Sequence, residues 1–401
     1  MAKVLDETPA LINEMDLQIS QMTFSFLSQI TALHPSLIDK PLPRLLEACV
    51  LLLQSSLLQG ATLAAALNFI EAIVFANIPR KPSFEVWMIV LQELLDHLTA
   101  PVYDHPVLHR QAYRSISACT AAVAWSFGQP ERCRGLAVKL TEQLMSDSTP
   151  DGVRLFSLLS VGELGCKCPN VYEGFFPMPE ELLLKAFNST SQEVKTAASY
   201  ALGRLAIGNL EKYLPFLLEQ INSQPRRQYL LLHSLKEVIG SESGDLRAVE
   251  IFRPRIEQIW PVLAVHATAP EEGTRNVVAE CLGKLCLVHP EQLLSRLKVI
   301  RLPNKFKERT AVDDLLHSSI ADFLKTVNDS DLNVRRVALV AFNSAAHNKP
   351  RLIRDLLDIL LPSLYGETVV RKELVREVEM GPFKHTVDDG IDLRKAAFEW
   401  Y

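Results

Sequence analysis

The chain has no apolar run able to span a bilayer: its longest uninterrupted stretches, such as Cys49 to Leu53, fall far short of the roughly 20 residues a membrane helix needs. It also has no excess of positive charge. With 42 Lys and Arg against 47 Asp and Glu, the net charge is -5, which argues against sequence-independent binding to a nucleic-acid backbone. Cysteine is sparse and unframed, seven residues scattered mostly at apolar helical positions, which points to a reducing compartment, nucleus or cytosol. The opening Met-Ala-Lys-Val-Leu-Asp-Glu lacks a charged segment followed by an apolar block, so no secretory signal is expected. Catalytic signatures are missing too. There is no glycine-rich phosphate loop, no His-Glu-X-X-His and no Gly-X-Ser-X-Gly, and His97, His233, His266 and His289 lie singly. Neither an enzyme nor a cofactor is expected. Cys166 and Cys168 have no second cysteine pair or histidines near them in sequence, so they read as a loop thiol pair rather than metal ligands.

What the chain does have is internal repetition. In Asp331 to Ala346, Val334, Val337, Ala338, Ala341, Phe342 and Ala345 fall at i, i+3, i+4, i+7, i+8 and i+11, one face of an α-helix, with Asp331 where a helix start favours an acidic cap. The same template recurs from Val194 and from Thr274, and weaker copies begin at Ile19, Leu63, Leu108, Val153 and Leu393. Successive anchors lie at the spacing of about 40 to 47 residues that marks HEAT-like or armadillo-like arrays of helix pairs. The expected fold is therefore all-α, a HEAT/armadillo-like α-solenoid, with residues 1–401 forming one elongated array that looks incomplete at both ends. Small alanines at the centre of each copy should let neighbouring helices approach closely. A basic column, Arg154, Lys195, Arg275, Arg335 and Arg394, reads either as a ligand stripe or, the stronger reading, as residues that pair with acids in turns of adjacent repeats.

Punctuation divides the array. A short first helix is expected within Pro9 to Glu14, a strong one from Asp16 to Leu33, and loops at Pro101 to Pro106 and Gly165 to Pro179. The intervals from 274 to 334 and from 334 to 393 run to about one and a half repeats. In the first, the basic segment Arg301 to Arg309 stands where the repeat pattern expects a helix that is absent or replaced; the second contains residues 370–389. There the period changes. Around Gly381-Pro382 the residues alternate as strands do, pairing Met380 with Phe383, Val378 with His385 and Arg376 with Val387 on one face, and Glu379 with Lys384 and Glu377 with Thr386 on the other. This is an inserted β-hairpin. Beyond it, Leu393, Ala396, Ala397, Phe398 and Trp400 read as an uncovered apolar end.

Four stretches carry a resemblance: Ser223 to Ile239, Glu271 to Leu285, Asp331 to Pro350 and Glu373 to Glu399. They resemble the cullin-associated, neddylation-dissociated proteins, also described as interacting with TATA-binding protein, and the departures resemble a partial form of the tissue-restricted second member, from the C-terminal half of its array. The resemblance implies a non-enzymatic, nuclear and cytoplasmic scaffold that wraps an unmodified cullin with its RING subunit and competes with substrate adaptors in cullin-RING ubiquitin ligases. It also implies that the hairpin enters the adaptor site, which assigns partner binding to Arg376, Val378, Met380, Gly381, Pro382, Phe383, Lys384 and His385. The alternative it offers is a transcription-linked adaptor for TATA-binding protein.

Overall fold

The computed structural model describes residues 2–77, 84–104, 108–125, 130–242, 252–288, 293, 296, 324–348, 353–354, 356–380 and 383–399. The chain divides into two compact units, Met1–Val238 and Ile239–Tyr401.

The first unit is built of helix pairs: α1 (Ala2–Leu11) and α2 (Leu17–Leu33), α3 (Leu42–Leu53) and α4 (Gly60–Asn77), α5 (Phe84–Asp104) and α6 (Arg110–Trp125), α7 (Pro130–Met145) and α8 (Asp151–Lys167), α9 (Pro179–Ala186) and α10 (Gln192–Gly208), then α11 (Leu210–Ser223) and the start of α12 (Gln228–Glu242). The second helices form a row in which α4 packs on α2 and α6, and α8 on α6 and α10. Local chemistry sets their limits. Asp16 Oδ1 accepts from the Gln18 and Ile19 amides at 3.0 and 2.9 Å to start α2, and Ser191 Oγ accepts from the Val194 amide to start α10.

In α10 the template is buried as written, with Val194, Ala197, Ala198, Ala201, Leu202 and Leu205 in the core. In α2 and α4 it lies one residue off. Ile19 is 44% exposed and the buried series starts at Ser20; in α4 it starts at Thr62. Both starters are hydroxyl residues that satisfy themselves on neighbouring backbone: Ser20 Oγ bonds Leu11 and Asn13 carbonyls at 3.2 and 2.8 Å, and Thr62 Oγ1 the Leu17 carbonyl at 3.2 Å. A pattern built on apolar residues alone passes over them.

The alanine-mediated approach is present. A Cβ on Gly162 of α8 would stand 2.5 Å from Ala201 Cα of α10, so these helices meet through residues with almost no side chain. Three expectations are corrected. The first helix covers Ala2–Leu11 with Pro9 inside it. Pro101 opens no loop, because Leu98 and Val102 on either side of it are buried and α5 continues to Asp104. Cys168 pairs across space, its Sγ 3.6 Å from Cys133 Sγ at the start of α7 and not with Cys166, because α8 runs on to Lys167 and carries the thiol to its neighbour.

The second unit contains α13 (Ile256–His266), α14 (Glu272–Val288), α15 (Leu332–Asn348), α16 (Leu357–Thr368), strands β1 (Val375–Met380) and β2 (Phe383–Asp388), and α17 (Ile391–Phe398). The Thr274 copy is buried at Val277, Val278, Cys281, Leu282 and Leu285. Its core further on joins Ala338, Leu339 and Phe342 of α15, Leu360 and Leu364 of α16, and Leu393, Ala396 and Ala397 of α17. The apolar end expected to lie bare is thus covered on one face, and Phe398, at 58% exposure, is what remains open. Residues 301–309 and Trp400 lie outside the described residues.

Candidate functional site: the hairpin and its roots

The strands pair antiparallel with the register Arg376↔Val387, Glu377↔Thr386, Val378↔His385, Glu379↔Lys384 and Met380↔Phe383. This is the pairing the alternation predicted. The structure thereby brings Arg376, Val378 and Met380 of β1 beside Phe383, Lys384 and His385 of β2, while Gly381 and Pro382 lie outside the described residues. Regular strands occupy 375–380 and 383–388, and the inserted segment 370–389 also includes a 3₁₀ turn, Lys372–Leu374, leading into β1.

The roots are held by ion pairs whose acids, Glu367 and Asp388, are not evident in the sequence. Glu367, in the last turn of α16 and only 4% exposed, accepts from Arg335 of α15 at 2.7 Å and from Arg371 at 2.6 Å through the same carboxylate oxygen. Arg371 directly precedes the 3₁₀ turn. On the returning strand Asp388 accepts from Arg394 of α17 and from the Gly390 amide at 2.9 Å. The Arg394 hydrogen bond, aided by that of Gly390, holds the Asp388 carboxyl below the usual aspartate range. The Asp389 amide donates to the Leu374 carbonyl at 3.0 Å, tying the two roots together. Gly390 sits where a Cβ would come within 2.9 Å of Leu374 Cδ1.

The basic column does two different things. Arg335 reaches an acid of the following helix and Arg394 an acid of its own turn. Arg154 and Arg275 instead donate to carbonyls of the turn before their own helix, Arg154 to Ser146, Asp147 and Thr149, Arg275 to Ala269 and Pro270 at 2.8 and 2.7 Å. The expected pairing with acids of adjacent repeats fails for these two, because a turn's own unpaired carbonyls are nearer and need donors as much as a carboxylate does, and Arg394 departs from it in taking an acid of its own turn.

Elsewhere, several buried titratable groups belong to the packing between helices. Glu163 of α8, buried, accepts from Tyr200 Oη at 2.6 Å and Arg204 at 2.8 Å, both on α10, and burial beside that carboxylate pushes the Tyr200 hydroxyl upward. Burial pushes the Cys49 and Cys286 thiols up to about 12. Among the described residues no group of three or more His, Cys, Asp or Glu could hold a metal ion, and no helix is long and apolar enough to cross a membrane.

With this geometry in place, similarity to known proteins is informative. The family described as "TATA-binding protein interacting (TIP20)" matches residues 352–401, which contain the hairpin and α17. Rat "Cullin-associated NEDD8-dissociated protein 2" is 43% identical over 99% of this chain and 31% of its own length. "Cullin-associated NEDD8-dissociated protein 1" of Drosophila melanogaster is 41% identical over 98% of this chain and 33% of its own. In Emericella nidulans, "Cullin-associated NEDD8-dissociated protein 1, C-terminal part" is 36% identical over 59% of this chain and 23% of its own. Yeast importin-β (Kap95p) is 16% identical with a TM-score of 0.38 over 93% of this chain and 44% of that one, too distant to add to the fold described above. The chain spans about a third of the length of the rat and fly relatives, which match it almost equally. A helix-pair array, a hairpin in the predicted register and identity above 40% along nearly the whole chain agree: the chain belongs to the family of cullin-associated NEDD8-dissociated proteins.

Proposed function

We propose that this chain is part of a non-enzymatic scaffold, nuclear and cytoplasmic, that binds unmodified cullins with their RING subunit, and that its hairpin displaces substrate adaptors from cullin-RING ligases. The observation that carries the reading is the hairpin itself: a two-stranded insertion with Met380 opposite Phe383 next to its turn, where the other described elements are helices. A lone hairpin is marginal in water, so an array that keeps one has a use for it. Two large apolar residues at such a tip supply about 1.5 to 3 kcal/mol each when buried by a partner. Helical repeats contribute contacts over a wide surface, whereas the tip competes for one pocket.

The test is a competition assay on a preformed cullin-adaptor complex. Met380→Ala with Phe383→Ala should slow adaptor displacement while the affinity for cullin alone stays near that of the parent. Equal displacement by variant and parent would reduce the hairpin to a structural element. A second reading, a transcription-linked adaptor, draws on the family description that matches residues 352–401. Pull-down from one lysate separates the two: recovery of TATA-binding protein without unmodified cullin favours the second.

A further inference from the structure

The hairpin leaves the helices and returns to them through an ion-paired node at each root. On the way out, the Glu367 carboxylate is shared by Arg335, which belongs to α15, and Arg371, which belongs to the root. The same acid thus fastens the root to the core helix. On the way back, Asp388 at the end of β2 is fastened to Arg394 one turn into α17. α17 packs on α15 and α16, so both nodes refer the hairpin to the same three helices. The Asp389–Leu374 backbone bond and the tight fit of Gly390 against Leu374 hold the roots side by side.

Electrostatics of this kind fixes direction. An antiparallel pair of six-residue strands is rigid along its own length through its ladder, but joined to a body by two single chains it can swing as a unit. Stopping that motion requires a link from each root to a helix, of low enough exposure that water does not replace it. The five arginine and carboxylate groups of the two nodes have side-chain exposures of 30% or less, and the Glu367 carboxylate is 5% exposed. We propose that Glu367 with Arg335 and Arg371, and Asp388 with Arg394, form a two-point clamp that aims the hairpin, so that Glu367, Arg371, Asp388 and Arg394 are positioning residues for adaptor displacement. The second half of this proposal rests on the function proposed above. A pre-aimed hairpin loses less orientational freedom on entering its pocket, which speeds displacement without adding a contact.

The variant that isolates the clamp is Arg371→Met with Arg394→Met, because it leaves the Glu367–Arg335 pair and the core of α15, α16 and α17 in place. Spin labels on ketone-bearing unnatural residues at Ile359, exposed on α16, and at Val387, exposed on β2, report hairpin direction without touching the native cysteines. The parent should give one narrow distance distribution and the variant a broad one, with unchanged helicity. Adaptor displacement should slow by about tenfold while affinity for cullin alone stays within about twofold. Arg371→Lys with Arg394→Lys, which keeps the charges, should recover part of the narrowing and part of the rate. A narrow distribution in the methionine variant would overturn the clamp, and a broad one with undiminished displacement would overturn its positioning role. A parent chain that binds no cullin would instead remove the functional reading, and the distance distributions would still decide whether the roots are clamped.

Discussion

Gly162 shows how much a single missing side chain carries. Any Cβ there would meet the backbone of Ala201, which cannot move without shifting α10, so Gly162→Ala should destabilise the first unit by about 1 to 3 kcal/mol. Chemical denaturation monitored by circular dichroism measures this, and an unchanged midpoint would show that α8 and α10 can separate freely. Asp388 is the residue whose charge state matters most at the hairpin. Its carboxyl is held below the usual aspartate range by Arg394, so the unfolded chain takes up its proton at higher pH than the folded one. The stabilisation is therefore complete above the unfolded value of about 3.9 and is lost as pH falls through the lower folded value. The Asp389 and Gly390 amides should lose exchange protection over that window. In Asp388→Asn the acid-dependent part should vanish; an identical pH profile in the variant would refute the assignment.

Between elements, the row of second helices is joined by hydroxyl groups as well as by small residues. Ser199 of α10 donates to the Leu230 carbonyl of α12 at 2.6 Å, Ser234 returns the bond to the Ser199 carbonyl at 2.7 Å, and Ser117 of α6 reaches the Phe156 carbonyl of α8. A buried hydroxyl donating to a helix carbonyl is satisfied without interrupting the helix that carries it. Ser234→Val, larger by one methyl-sized group, should cost about 1 to 3 kcal/mol because the Ser199 carbonyl loses a partner and the extra group must fit a fully buried site. A double variant with Ser199→Ala should cost less than the two single changes together, as measured by denaturation, since both remove one arrangement. Additive costs would show the two serines acting separately. These contacts were hidden in the sequence because a serine on an apolar face reads as a gap in the pattern. The hairpin register was legible for the opposite reason: strand alternation is strict, and a Gly-Pro turn leaves few ways to pair what flanks it.

For the molecule as a whole, an array stabilised by neighbouring pairs should respond locally to damage. Leu339 has no exposed surface and belongs to the core that joins α15, α16 and α17. Leu339→Ala should cost about 2 to 5 kcal/mol. Hydrogen exchange should place that loss in α15, α16 and α17 and leave α2 and α4 protected; uniform loss along the chain would mean that the units unfold together. The sequence by itself determined the repeat: residues three and four apart must share a helix face, so periodic burial at Val194 and Thr274 follows from covalent geometry, as does strand pairing around Met380 and Phe383. It could not determine which partner a side chain takes when several lie within reach in space. Arg275 chose carbonyls of its own turn and Arg335 a buried glutamate of the following helix; Cys168 lies beside Cys133 rather than Cys166. Those choices, and with them the clamp at the hairpin's roots, were decided only by tertiary structure, because a polar group pairs with whatever packing leaves nearest to it once water is excluded.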